Sequence, residues 1–182
     1  RDCYLYAREP KGIEDVRLSA GIEVPTYRDG KAKGTLQIEL RKSEANLPVQ
    51  LTLRDAEGQV VLEQKGFSAA KGSFELGEIK TWSAETPYLY TLELRTAGEV
   101  IRQRVGFRDV RVSGGQLLVN GQPILIKGAN RHEIDPDGAY YVSRERMRQD
   151  ILLMKQLNMN AVRTCLVKGK ETSHIVVNHF LR

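Results

Sequence analysis

With 182 residues, 41% of them hydrophobic and 28% charged, the chain has an ordinary globular composition and enough length for one domain, or one domain and part of a second. Its formal charge of +5 is dispersed, Lys and Arg alternating with Asp and Glu along nearly every segment, so no basic stripe for phosphates forms and nucleic acid is excluded as a partner. No apolar run reaches the roughly eighteen residues of a membrane span, and Cys3 and Cys165 have neither zinc-site spacing nor the density of a disulfide framework, which leaves two free thiols.

The opening "RDCYLYAREP" carries no charged-then-apolar leader and reads as the middle of something, so it leaves the compartment open between cytoplasm and periplasm. The next hundred residues read as strands at regular intervals. In "GTLQIELRK", Leu36, Ile38 and Leu40 point one way and Gln37, Glu39 and Arg41 the other, the period-two pattern of a half-buried strand. "LPVQLTLRD" repeats it with Val49, Leu51 and Leu53, and "PYLYTLELR" with Tyr88, Tyr90, Leu92 and Leu94. Turn punctuation falls between them, at Asp29-Gly30, Ala45-Asn46 and Glu57-Gly58, and short strands joined in this way predict an antiparallel β-sandwich over residues 11–109. Trp82, the single tryptophan, is read as a core or seam plug, with a sugar-stacking platform as the alternative.

Past residue 110 the pattern changes. "QLLVNGQPILI" is two apolar runs around Asn120-Gly121, a pair suited to a type I′ hairpin turn because both central residues need positive φ. "VSRERMRQDILLMKQLNMN" sets Met147, Ile151 and Met154 at helical spacing, widened by Leu153 and Leu157, with Ser143 as N-cap and Asn158 or Asn160 at the end. Glu145 falls at the second helical position, which leaves the reciprocal capping box incomplete. "NAVRT" then reads as a short buried strand. Strand, loop, helix and strand make one βαβ unit, with a parallel sheet and a right-handed crossover. The polar string Asn130, Arg131, His132 and Glu133 is expected in the loop from Gly128 to Gly138 that leaves the first strand, and Arg163 and Thr164 at the same end of the second; in parallel α/β architectures that end carries the active site. One βαβ unit cannot close a barrel, so the chain is expected to stop just inside a second domain.

"WSAETPYLYTLEL", "VGFRDVRV", "LLVNGQPILIKGANRHEIDPDG" and "MRQDILLMKQLNMNAVRT" resemble successive landmarks of the large bacterial β-galactosidases of glycoside hydrolase family 2. "RDCYLYA" resembles the last strand of that family's jelly-roll domain. Arg131, with Asp135-Pro136 and Gly138 following, favours the galactosidase branch over the glucuronidases, which usually carry Lys before the His. The resemblance implies a mainly β chain: the end of a jelly-roll sugar-binding domain at residues 1–10, an immunoglobulin-like antiparallel sandwich at 11–109, an incomplete (β/α) barrel segment of hairpin plus one βαβ unit at 110–165, and a tail at 166–182 with no family match.

The same resemblance implies roles for two side chains. His132 matches the histidine that hydrogen-bonds the galactosyl ring in the transition state, and Arg163 the arginine that orients the nucleophilic carboxylate. A retaining glycosidase builds positive charge on the ring, and a guanidinium fixes a carboxylate bidentately, so both roles make chemical sense. On spacing alone, a loop-capping His132 and a buried ion-pair role for Arg163 stay open. Leu166 stands where a second sugar-binding histidine would be, and His174 and His179 do not restore it. The family's acid/base and nucleophile glutamates come from later barrel strands, so no catalytic pair is expected here and the chain alone is expected to be inactive. Glu133 lies too early and lacks the carboxylate partner at roughly 5 Å that retention requires.

His132, Glu133, Asp135 and Asp137 crowd one loop but match no EF-hand spacing, so no metal is assigned to this chain. The resemblance implies magnesium and sodium in the complete enzyme, a β-galactoside as substrate, homo-oligomeric assembly of the parent, and no membrane partner. Two function classes stay open: a segment of a β-galactosidase, and a non-catalytic sandwich module that binds carbohydrate or protein.

Overall fold

The computed structural model describes residues 5, 10–132, 134–164 and 175–176. The chain divides into two compact units, one ending at Pro123 and the other starting at Ile124. Cys3, Cys165, Leu166, His174, His179 and Glu133 lie outside the described residues.

The first unit begins with strands β1 (Ile13–Ile22), β2 (Lys31–Lys42), β3 (Val49–Arg54), β4 (Val60–Phe67), β5 (Lys71–Lys80), β6 (Tyr90–Arg95) and β7 (Val100–Val105). They form two antiparallel sheets, β1-β2-β5 and β4-β3-β6-β7, so the chain changes sheet after β2, β4 and β5. The alternation read from the sequence faces as expected. Leu36, Ile38 and Leu40 of β2 are buried together with Val49, Leu51 and Leu53 of β3 and Leu92 and Leu94 of β6. Each side chain fully withdrawn from water in this way contributes about 1.5–3 kcal/mol. Tyr90 and Phe107 close one end of the core, edge to face at 5.2 Å between ring centres, and the Tyr90 hydroxyl accepts the Lys80 N–H. Tyr88 lies just before β6 and packs against the core's margin; its hydroxyl donates to Glu57 at 2.7 Å.

Trp82 takes the structural role. Its backbone N–H donates to the Phe107 carbonyl, its half-buried ring carries the Arg108 guanidinium 4.5 Å from the ring centre, and a Cβ added to Gly106 would meet it at 2.9 Å.

The unit continues into an antiparallel meander of β8 (Val110–Ser113), β9 (Gln116–Val119) and β10 (Gln122–Pro123). Asn120 and Gly121 both have positive φ, as a type I′ turn requires, and so do Gly114 and Gly115, which make a second tight turn that the sequence reading did not mark. Asn120 also ties the meander to the sandwich. It is 3% exposed; its side-chain oxygen accepts the Asp109 N–H at 3.0 Å and its amide donates to the Trp82 carbonyl at 3.0 Å.

The second unit contains β11 (Gly128–Arg131), α1 (Arg144–Gln156), β12 (Ala161–Thr164) and β13 (Ile175–Val176). β11 and β12 are parallel, with Gly128 opposite Ala161 and Arg131 opposite Thr164, and β13 pairs antiparallel with β12. Ser143 caps α1 as read, its hydroxyl accepting the Arg146 N–H at 3.2 Å. The helix ends at Asn158, whose φ of 56° is left-handed. There the N–H groups of Asn158 and Met159 turn back to the carbonyls of Lys155 and Met154, the pattern of a Schellman cap. Ile151 and Met154 are half-buried, whereas Leu153 and Leu157 are exposed.

One strand boundary is corrected. The apolar run "PILI" is not the first parallel strand: β10 stops at Pro123, Leu125 and Ile126 are exposed, and the parallel strand is Gly128–Arg131. Backbone pairing decides the matter. Lys127 is fixed by the Asn160 side chain, which accepts its N–H at 2.8 Å and donates to the Leu125 carbonyl at 2.8 Å. At Gly128 the neighbouring strand comes so close that a Cβ would lie 2.6 Å from the Ala161 carbonyl oxygen. Asn130 and Arg131 therefore belong to the strand, and the loop begins at His132.

Two outcomes are expected for the first unit. A polypeptide of residues 4–123 unfolds in one cooperative step in urea, and Asn120→Ala lowers its stability by about 1–3 kcal/mol, because the Asp109 N–H and Trp82 carbonyl lose a buried partner. An unchanged midpoint would show that the meander is not bound to the sandwich through Asn120.

Candidate functional site

Polar side chains gather at the carboxyl end of the parallel pair. In β11, Asn130 stands opposite Arg163 of β12. Position 132 follows directly after the last paired residue of this ladder, Arg131 opposite Thr164. His132 is the first residue past β11 and is exposed, as is Arg163. Both thus lie at the same end of adjacent strands, and both are exposed in this segment. Thr164, opposite Arg131, lies at the same end.

The loop after His132 is held by Asp135. Its Oδ1 accepts the Asp137 N–H at 2.9 Å and the Gly138 N–H at 3.1 Å, and its Oδ2 receives Arg146 Nε at 3.0 Å. The Asp135 N–H donates to the Ala139 carbonyl, closing a tight turn. Gly138 is required there, since a Cβ would lie 2.5 Å from the Tyr141 carbonyl oxygen. With 7% exposure and these donors aimed at it, the Asp135 carboxyl is held below the ordinary aspartate range, first by the Asp137 N–H, then by the Gly138 N–H, with Arg146 adding to them.

Arg131, the last residue of β11, is tied to the helix instead of facing the site. Its Nε and Nη2 lie 2.9 and 2.8 Å from Asp150 Oδ2. The sequence reading used Arg131 as a branch marker and as part of the polar string of the loop, and missed its partner Asp150 and the Asp135 partner Arg146, which lie 19 and 11 residues away along the chain. Asn160 was read as a helix stop and as the start of the strand "NAVRT"; its side chain also fixes Lys127.

Hard cations take free carboxylate oxygens, whereas both Asp135 oxygens are committed to N–H and guanidinium donors, and among the described residues no three His, Cys, Asp or Glu side chains assemble as a ligand set.

Because the Asp135 carboxyl titrates below its unfolded value, its contribution is fully present above the ordinary aspartate range and is lost as pH falls through the lower, folded value. In a pH titration followed by NMR, the Asp137 and Gly138 amide shifts are expected to titrate with a midpoint below the ordinary aspartate value of about pH 4. Titration centred at or above that pH would show that the amides do not hold the carboxylate.

Comparison with known proteins fits this arrangement. Residues 5–108 match the model of glycosyl hydrolases family 2, and residues 110–170 match that family's TIM barrel domain. A β-galactosidase of Actinobacillus pleuropneumoniae is 37% identical over 164 residues, covering 90% of this chain and 16% of its own length. One from Bifidobacterium adolescentis is 38% identical over 187 residues, covering 94% of this chain and 17% of its own length. The chain thus spans about a sixth of the length of these curated relatives. Among solved structures, the Faecalibacterium prausnitzii β-glucuronidase superposes with a TM-score of 0.71 at 31% identity, over 86% of this chain and 24% of that one. The Ruminococcus gnavus β-glucuronidase, at 0.73 and 23% identity over 88% of this chain and 26% of its own, shares the fold. With both of its parts matched by that family's models, the chain belongs to glycoside hydrolase family 2.

Proposed function

We propose that the chain is a segment of a retaining β-galactosidase that removes terminal β-D-galactose, and that it supplies one wall of the sugar site but not the catalytic pair. The observation that supports this reading is the parallel pairing of Asn130 with Arg163 in a ladder that ends just before His132, so that both residues lie at the carboxyl end of adjacent strands. In that role His132 hydrogen-bonds the ring as it flattens, and Arg163 holds the attacking carboxylate of a later barrel strand. Identity of 37–38% to β-galactosidases supports the galactoside over other substrates. A glucuronide is the second reading, favoured by the 31% identical glucuronidase structure. Arg131 in place of a Lys before His132 speaks for the galactoside. Magnesium and sodium, which the resemblance assigns to the whole enzyme, are proposed to bind outside this segment, because the acidic loop is already occupied by its own donors. The homo-oligomeric assembly of the parent is part of the same proposal.

Retention needs two carboxyl groups roughly 5 Å apart in different protonation states. Asp135, one of the acids of the loop, has its oxygens engaged by Arg146 and by the Asp137 and Gly138 N–H groups, which supports a role in holding the loop. The purified chain is therefore expected to hydrolyse an aryl β-galactoside no faster than background, and to bind galactose undetectably, since a small ligand needs about 70% of its surface buried. Turnover that survives Glu133→Gln would place the machinery elsewhere in this chain, and turnover lost with that substitution would make Glu133 the acting carboxylate.

In the full-length enzyme, turnover of aryl β-galactoside over aryl β-glucuronide decides between the two substrates. His132→Ala is expected to lower kcat on the order of a hundredfold while KM changes far less, because the contact tightens in the transition state. Equal changes in both would mean uniform binding, and no change would return His132 to a structural role.

A further inference from the structure

The charged groups around His132 form a pattern that the sugar-binding role does not by itself explain. Arg131 immediately precedes it and is only 14% exposed, with Nε and Nη2 on Asp150 Oδ2 at 2.9 and 2.8 Å. Asp135 follows in the same loop, its side chain 9% exposed, with Oδ2 3.0 Å from Arg146 Nε; a second nitrogen, Nη2, reaches Asp137 at 3.3 Å. Arg146 and Asp150 stand four residues apart on α1, and therefore lie on one face a single turn apart. The chain on both sides of His132 is thus pinned to consecutive turns of one helix.

We propose that Arg146 and Asp150 are positioning residues for His132: the two ion pairs bracket the histidine and fix the height and direction at which it leaves β11. The inference rests on the reading of His132 as a sugar contact. The signs make the bracket specific. Arg131 meets an acid and Asp135 a base, so sliding the helix by one turn would set Arg131 against Arg146, or Asp135 against Asp150, and like charges at contact oppose that register. Both inner members, Arg131 and Asp135, are largely withdrawn from water, so losing one partner leaves the other buried without compensation. The consequence for function is geometric: displacement of a reacting or hydrogen-bonding group by about an ångström costs as much as a hundredfold in rate.

The test is a set of double-mutant cycles in the full-length enzyme, reading kcat and KM for an aryl β-galactoside alongside the thermal midpoint. Asp150→Asn and Arg146→Gln are each expected to lower kcat about tenfold to a hundredfold with little change in KM. In a His132→Ala background the same substitutions should cost less than about twofold, because a displaced residue that is already absent cannot be displaced. Arg131→Lys should restore part of what Arg131→Gln loses. If the substitutions cost the same with and without His132, or lower the thermal midpoint while kcat per folded enzyme is unchanged, the positioning role is overturned and the pairs are structural. If His132→Ala alone leaves kcat unchanged, the sugar-contact reading itself fails and takes the bracket with it, an outcome separate from the failure of the bracket alone.

Discussion

Parallel strands cannot be joined by a turn, and the close pairing of β11 with β12 is the constraint from which the second unit follows. The chain must cross from the end of one strand to the start of the next, and α1 is that crossover. The pairing depends on two small features. Gly128 lets the strands approach where any Cβ would strike the Ala161 carbonyl. Asn160, just before β12, replaces the missing ladder partners of Leu125 and Lys127 with its own amide. With the strands in that register, Asn130 faces Arg163, and the first free position past the strand is His132. The site is a consequence of where the ladder ends.

The sandwich follows from a different balance. Strands β2 and β6 alternate because each faces the core on one side and water on the other, and the core is aliphatic where the sheets meet. Outward positions carry interleaved charge, such as Glu93 between Arg95 and Arg102, each at 2.8 Å; such exposed pairs add little stability but keep the surfaces from self-association. The meander after β7 shows why a boundary drawn from sequence similarity and one drawn from packing need not coincide. Residues 110–123 match the barrel model by sequence, yet Asn120 and the strands around it belong to the compact unit of the sandwich.

The parts legible in the sequence were those governed by local rules. Period-two alternation located β2, β3 and β6, the Asn120-Gly121 pair gave its hairpin, Ser143 gave the start of α1, and of the two stops offered, Asn158 and Asn160, the first is the left-handed residue just past its end, because each of these signals is set by φ, ψ or one nearby hydrogen bond. What failed was the entry to the parallel pair. "PILI" has the stronger apolar character, but β12 supplies its hydrogen bonds five residues later, to the small and polar "GANR"; hydrophobicity marks what can be buried, whereas a ladder is fixed by which backbone is reachable. The Arg131–Asp150 and Asp135–Arg146 pairs were missed for a related reason. Their partners are 19 and 11 residues apart, and only the fold brings strand end, loop and helix face together. His132 and Arg163 were singled out through resemblance, while their adjacency at one end of the parallel pair required the register.

The central claim is that the carboxyl end of β11 and β12 forms one wall of a sugar site. A crystal structure of the full-length enzyme with a galactose-configured transition-state analogue tests it most directly. The account predicts a His132 ring nitrogen at about 3 Å from a hydroxyl of the bound ring, and the Arg163 guanidinium on the carboxylate that faces the anomeric carbon. An analogue bound with His132 turned away from it, or with Arg163 paired to a carboxylate remote from the sugar, would contradict it.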